Sequence, residues 1–141
     1  ASECARYGMF DAAEMHYREA LAQAPDAAYI RKNLARTLML RDKWEEARAQ
    51  LETVLAGRPG DYAALRLSAR TLRKLGEVDL ALARLECAAR LRPGEPSIFR
   101  EMSRIYGEDK QDAGTAQRLL EKARSLETAS APSAAGHGPE S

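Results

Sequence analysis

An all-α stack of antiparallel helix pairs is the fold this sequence predicts, and three observations predict it. Residue types recur at a fixed step of 34: Ala13, Ala47, Ala81; Tyr17, Leu51, Leu85; Ala20, Val54, Ala88; Pro25, Pro59, Pro93. Within a unit the apolar residues keep helical spacing, as at Ala47, Leu51, Val54 and Leu55. Each proline follows an apolar run (ALAQAP, VLAGRP, AARLRP), where a missing amide hydrogen ends one helix just ahead of the next. A period of this length marks a repeat array.

The elements follow in order. Residues 1–7 read as the end of a first helix, and Gly8 as the turn inside a pair. Helices are then expected near 9–23, 26–41, 43–57, 60–75, 77–91, 95–107 and 112–126. The bulky column Phe10, Trp44, Val78 opens the second helix of each pair. First helices carry their own columns: Ile30, Ala64, Ile98; Ala35, Ala69, Ser103; Leu38, Leu72, Tyr106. Gly76 marks another turn inside a pair, and Asp42 takes that place in the middle unit. Asp26, Asp61 and Glu95 stand near helix starts, where the positive dipole end favours them. A fourth copy of the second-helix columns arrives one residue late, at Ala116, Leu120 and Ala123. Tyr106 is still in register, so the extra residue falls within 107–115 (GEDKQDAGT). The organisation is a half repeat 1–25, repeats 26–59 and 60–93, a degenerate repeat 94–127, and a tail 128–141 (TASAPSAAGHGPES) expected to be flexible.

Composition narrows the function classes. The chain has 141 residues, one domain's worth, with 22 basic against 21 acidic residues. A net charge of +1 makes no global case for nucleic acid, and the aromatic residues fall in core columns rather than on stacking platforms. No run of about 18 apolar residues is present to span a membrane. Two cysteines and two distant histidines, His16 and His137, give no metal-ligand spacing, and no metal or cofactor is expected. Cys4 and Cys87 lie on different repeats, too far apart to bridge, and Cys87 reads as a structural thiol. His16 reads as solvent-facing. Asp11, Glu14, Glu45 and Glu46 suit the starts of second helices. No Ser/His/Asp constellation and no glycine-rich phosphate loop is present, so an enzyme is not expected. Arginine outnumbers lysine 17 to 5, the bias of a GC-rich bacterial gene. The opening ASECARYG lacks an initiator methionine, a basic segment and an apolar segment, and reads as excised or processed from something longer. Cytoplasm and periplasm both stay open.

GMFDAAEMHYREALAQAP (8–25) and LGEVDLALARLECAARLRP (75–93) carry Gly, bulky, Ala, bulky, Ala and Pro at fixed offsets. In this the chain resembles the tetratricopeptide repeat over 1–127. The resemblance implies a right-handed superhelical solenoid whose first helices line a concave groove with their second, fifth, ninth and twelfth residues. Here the second position is Tyr29 in the first full repeat. The fifth is Lys32, Arg66 and Arg100; the ninth is Arg36, Arg70 and Arg104; the twelfth adds Arg73, with Lys74 beside it. Segments 26–41 and 60–75 each hold four basic residues against one acidic, a net +3, whereas 9–24 is −2.

Residues four apart on a helix share a face, so these cations stack into ladders of like charge. Their repulsion calls for compensation, and guanidinium forks grip carboxylates in bidentate fashion. The expected function is a protein-interaction module, an adaptor or scaffold, whose basic groove takes an acidic, extended or helical segment of a partner. A plain solvated face, its arginines lying over apolar surface and pairing with neighbouring glutamates, is the competing reading. So are a bacterial assembly or secretion-type chaperone, which Met39 and Leu40 favour, and a docking domain of a larger protein. One subclass of the family grips a C-terminal carboxylate with a lysine and two asparagines. Lys32 matches the lysine, but Arg36 replaces the asparagine four residues on and Leu67 occupies the helper position, so that clamp is not intact. Phe10 and Tyr17 lack a preceding helix, which predicts either a longer array or self-association through end faces. The tail, with Glu140 and the terminal carboxylate, is a further candidate occupant of the groove.

Overall fold

The computed structural model describes the backbone of residues 2–135 and the side chains of 11–128. The described residues form seven helices and no strand: α1 (Ser2–Gln23), α2 (Ala28–Leu40), α3 (Trp44–Gly57), α4 (Tyr62–Lys74), α5 (Val78–Leu91), α6 (Pro96–Glu108) and α7 (Ala113–Ala135). The chain divides into two compact units, Ala1–Arg84 and Leu85–Ser141. In the first, α1, α2, α3 and α4 pack in succession and α2 also touches α4. In the second, α6 packs along α7.

The 34-residue columns become the core. Ala47, Leu51, Ala64, Ala81 and Ala88 are 0% exposed, as are Leu34, Ala35, Leu38 and Ile98. Small residues at these points let helix axes approach, and leucines fill the space beside them. Where the third copy of a column has Ser103 in place of Ala35 and Ala69, its Oγ donates to the Ala116 carbonyl (2.7 Å) and ties α6 to α7. Buried Thr71 donates to the Leu67 carbonyl within its own helix, at 2.9 Å.

The turns inside the pairs share one construction. The Lys43 amide donates to the Leu38 carbonyl and the Glu77 amide to the Leu72 carbonyl, each at 2.8 Å. In both turns the residue just before that donor has positive φ: Asp42 at 60° and Gly76 at 84°. In the third pair the Asp112 amide reaches the Tyr106 carbonyl at 2.7 Å, and Gln111 has φ 52°. That span is one residue longer, which locates the insertion expected within 107–115.

Two element boundaries differ from expectation. No turn forms at Gly8; α1 runs unbroken from Ser2 to Gln23. Continuing an existing helix gains a hydrogen bond per residue, which outweighs the cost of about 1 kcal/mol of one glycine in a helix interior. The last helix does not end at 126 but continues to Ala135, into the segment read as a flexible tail. The extension contains alanines at 129, 131, 134 and 135, the strongest helix formers, and runs through Pro132, which forgoes one intrahelical hydrogen bond. Helix starts differ among repeats too. Asp61 accepts from the Ala64 amide (3.0 Å) and caps α4, whereas α2 and α6 begin at Ala27 and Glu95 without a side-chain cap.

Candidate functional site

In the first unit the cations of α2 and α4 divide by environment. Lys32 is half-buried, and its ammonium donates to both oxygens of Asp61, at 2.8 and 3.1 Å. Asp61 thus caps α4 and anchors α2 to it at once. Burial pushes the Asp61 carboxyl up, but the Lys32 and Ala64 hydrogen bonds, with the charges of Lys32 and Arg58, outweigh this and hold it below 3.8. Lys32 is therefore committed within the chain and leaves the open ladder expected for it. The reason is spatial: Lys32, at the fifth position of α2, lies beside the start of α4, where a capping carboxylate already sits.

Arg36 and Arg70 are exposed, and Arg66 and Arg73 half-buried. Arg36 spends one donor on Asn33 Oδ1 (3.0 Å). The Arg66 guanidinium lies over the Tyr62 ring, 5.9 Å from its centre. Tyr29, the predicted second position, is 67% exposed. In the second unit Arg104 is exposed, and Arg100 is paired with Glu127 across α6 and α7. Both partners of that pair are 44% exposed, so water and salt weaken it.

The sequence reading missed a carboxylate hub. Glu14 on α1 is only 8% exposed and accepts from Arg18, Arg41 and Lys43. Arg41 also pairs with Asp11, and Arg18 with Glu46 on α3. Burial pushes the Glu14 carboxyl up; hydrogen bonds from Arg18 and Lys43, the Lys43 charge and the Arg41 hydrogen bond outweigh that and hold it below 4.5. A glutamate one residue past a column alanine looks like a solvated helix face in sequence. Only folding brings Arg41 and Lys43, nearly thirty residues on, to the same point. Further ion pairs link successive second helices: Arg48 with Glu77, and Arg84 with both oxygens of Glu52 at 3.0 Å.

Cys87 is half-buried and accepts from Arg90 (3.2 Å), and His16 is exposed beside Tyr17. The side chains of Cys4 and Phe10, and all of His137 and Glu140, lie outside the described residues. Among the described residues no group of three or more His, Cys, Asp or Glu is placed to hold a metal, and no helix is long and apolar enough to cross a membrane.

Comparison with known proteins agrees with this geometry. A family model described as tetratricopeptide repeat matches residues 5–65. No curated protein sequence matches the chain significantly. Among solved structures, MamA AMB-1 is similar at 25% identity, with a TM-score of 0.77 over 88% of this chain and 73% of its own. MamA MSR-1 gives 25% and 0.76 over 89% and 72%. MamA from Desulfovibrio magneticus RS-1, at 21% identity and a TM-score of 0.80 over 89% and 70%, shares the fold. A bacterial neighbour is in keeping with the arginine-rich composition. With its 34-residue columns and paired helices the chain has a tetratricopeptide-like helical fold, and its residues 5–65 match the tetratricopeptide repeat, a module of protein–protein interaction.

Proposed function

We propose that the chain binds an acidic segment of a partner protein along the cationic face of α2 and α4, with Arg36, Arg66, Arg70 and Arg73 contacting its carboxylates. One observation carries the reading. Across their 13 residues each, α2 and α4 hold Arg31, Lys32, Arg36, Arg66, Arg70, Arg73 and Lys74 and not one acidic residue. Asp61, which stands just before α4, pairs with Lys32. By contrast α3, between them, contains three glutamates. Cations are thus segregated onto the helices that line the groove in related folds. Arg104 and Arg100, after displacement of Glu127, extend the same chemistry within the second unit.

Fluorescence anisotropy with a labelled glutamate-rich peptide tests this. Affinity is expected to fall steeply between about 0.05 and about 0.5 M salt, as a carboxylate–guanidinium contact requires. Arg66→Glu with Arg70→Glu is expected to lower it by at least about tenfold, and Arg124→Glu on α7 to leave it unchanged. Equal binding of a glutamine analogue, or indifference to the double reversal in a protein of unchanged Tm, contradicts the reading.

A further inference from the structure

Two of the large apolar side chains left exposed lie on one helix, Tyr29 at 67% and Leu40 at 64%. Single exposed apolar residues are ordinary; their placement here is not. Eleven residues of helix turn through three revolutions with about 20° to spare, so Tyr29 and Leu40 project from the same face, about 16 Å apart along the axis. Arg36, seven residues from Tyr29, falls within about 20° of the same line. Exposed Arg70 stands on α4, which packs beside α2. The face therefore reads aromatic, cationic, aliphatic. The same register has Ala63 and Lys74 in α4, and Ser97 and Glu108 in α6. The apolar ends are a property of α2 alone.

We infer that the partner segment is an amphipathic acidic helix lying along α2, with two large apolar side chains about eleven residues apart seated on Tyr29 and Leu40 and carboxylates between them on Arg36 and Arg70. This rests on the acidic-partner reading and adds to it a conformation and two anchors. Charge complementarity fixes the centre of the ligand at Arg36, which is exposed and bonded to the neutral amide of Asn33. The spacing selects a helix. A helix alongside α2 has the same rise and presents residues eleven apart on one face. An extended segment covers about 16 Å in five residues, which puts its two anchors on opposite sides. It would also bring unpaired backbone amides and carbonyls to a surface that has no strand edge to receive them.

The probe is a labelled peptide of about sixteen residues with two leucines eleven apart and glutamates between them on the same face. It is expected to gain helical circular dichroism on binding. Tyr29→Ala and Leu40→Ala are each expected to weaken it about tenfold, with Tm unchanged because both side chains are exposed. A central proline in the peptide is expected to abolish binding. If the proline analogue, or one with both leucines replaced by alanine, binds as tightly as the parent, the helical anchor mode is wrong while the acidic reading stands. If the glutamine-for-glutamate analogue binds as tightly, the acidic reading falls, and this inference with it.

Discussion

Asp42 and Gly76 do the same job with unequal ease. Both take left-handed backbone at the equivalent turn, φ 60° and 84°, and only glycine does so without a steric cost from Cβ. A Cβ added at Gly76 meets nothing within 4 Å, so Gly76→Ala isolates the backbone term. It is expected to cost about 1–2 kcal/mol by urea denaturation; a neutral result contradicts the turn geometry. Glu14 is the other residue whose environment sets a measurable property. Its carboxyl is held below 4.5, so the folded chain gives up this proton more readily than the unfolded chain. The resulting stability is complete above 4.5 and drains away as pH falls through the lower folded value. Glu14→Gln, which removes the charge that Arg18, Arg41 and Lys43 share, is expected to cost about 1–3 kcal/mol at neutral pH. The gap between variant and parent closes in acid; a gap that stays constant down to acid pH excludes the ionised hub.

At the scale of elements, the Lys32–Asp61 contact joins α2 to α4 while Asp61 also caps α4. Two substitutions separate the roles. Asparagine caps as well as aspartate but carries no charge for Lys32; alanine loses both functions. Asp61→Ala is therefore expected to be about 1 kcal/mol less stable than Asp61→Asn, and equal stabilities would remove the cap from the account. The elements themselves were largely legible beforehand. Proline and alanine columns located six of the helices, and the late arrival of Ala116 placed an inserted residue that the Asp112–Tyr106 turn now localises. The ends were less legible. The continuity of α1 across Gly8 and the length of α7 depend on whether a helix has a neighbour to fold against, which a 34-residue pattern does not encode.

Across the molecule, one column has different burial in different repeats. Ala47, Leu51 and Val54 are at most 4% exposed, while Ala13, Tyr17 and Ala20 are half-buried. Stacked repeats bury a residue only where a neighbour covers it. Leu51→Ala is thus expected to cost about 2–5 kcal/mol, and Tyr17→Ala, though it removes a larger side chain, distinctly less. Denaturation midpoints with unchanged m-values would check the order, and its reversal would mean that α1 is more fully covered than it stands here. Charge is divided along the same lines: ion pairs such as Arg48–Glu77 and Arg84–Glu52 join the second helices of successive pairs, while α2 and α4 carry cations and no carboxylate within their own spans.

Periodicity determined the core columns, the turns at Asp42 and Gly76 and within 107–115, and the clustering of cations on first helices, though not the unbroken α1 across Gly8. Each of these depends on residues a few positions apart, and helical geometry converts such spacing directly into a face. Tertiary structure decided which cations face solvent. Lys32 and Arg36 look alike in sequence, yet one meets Asp61 twenty-nine residues away and the other remains exposed beside Asn33. Whether a charge is cancelled depends on what folding brings within about 4 Å of it, and that is set by packing between helices rather than by spacing along one.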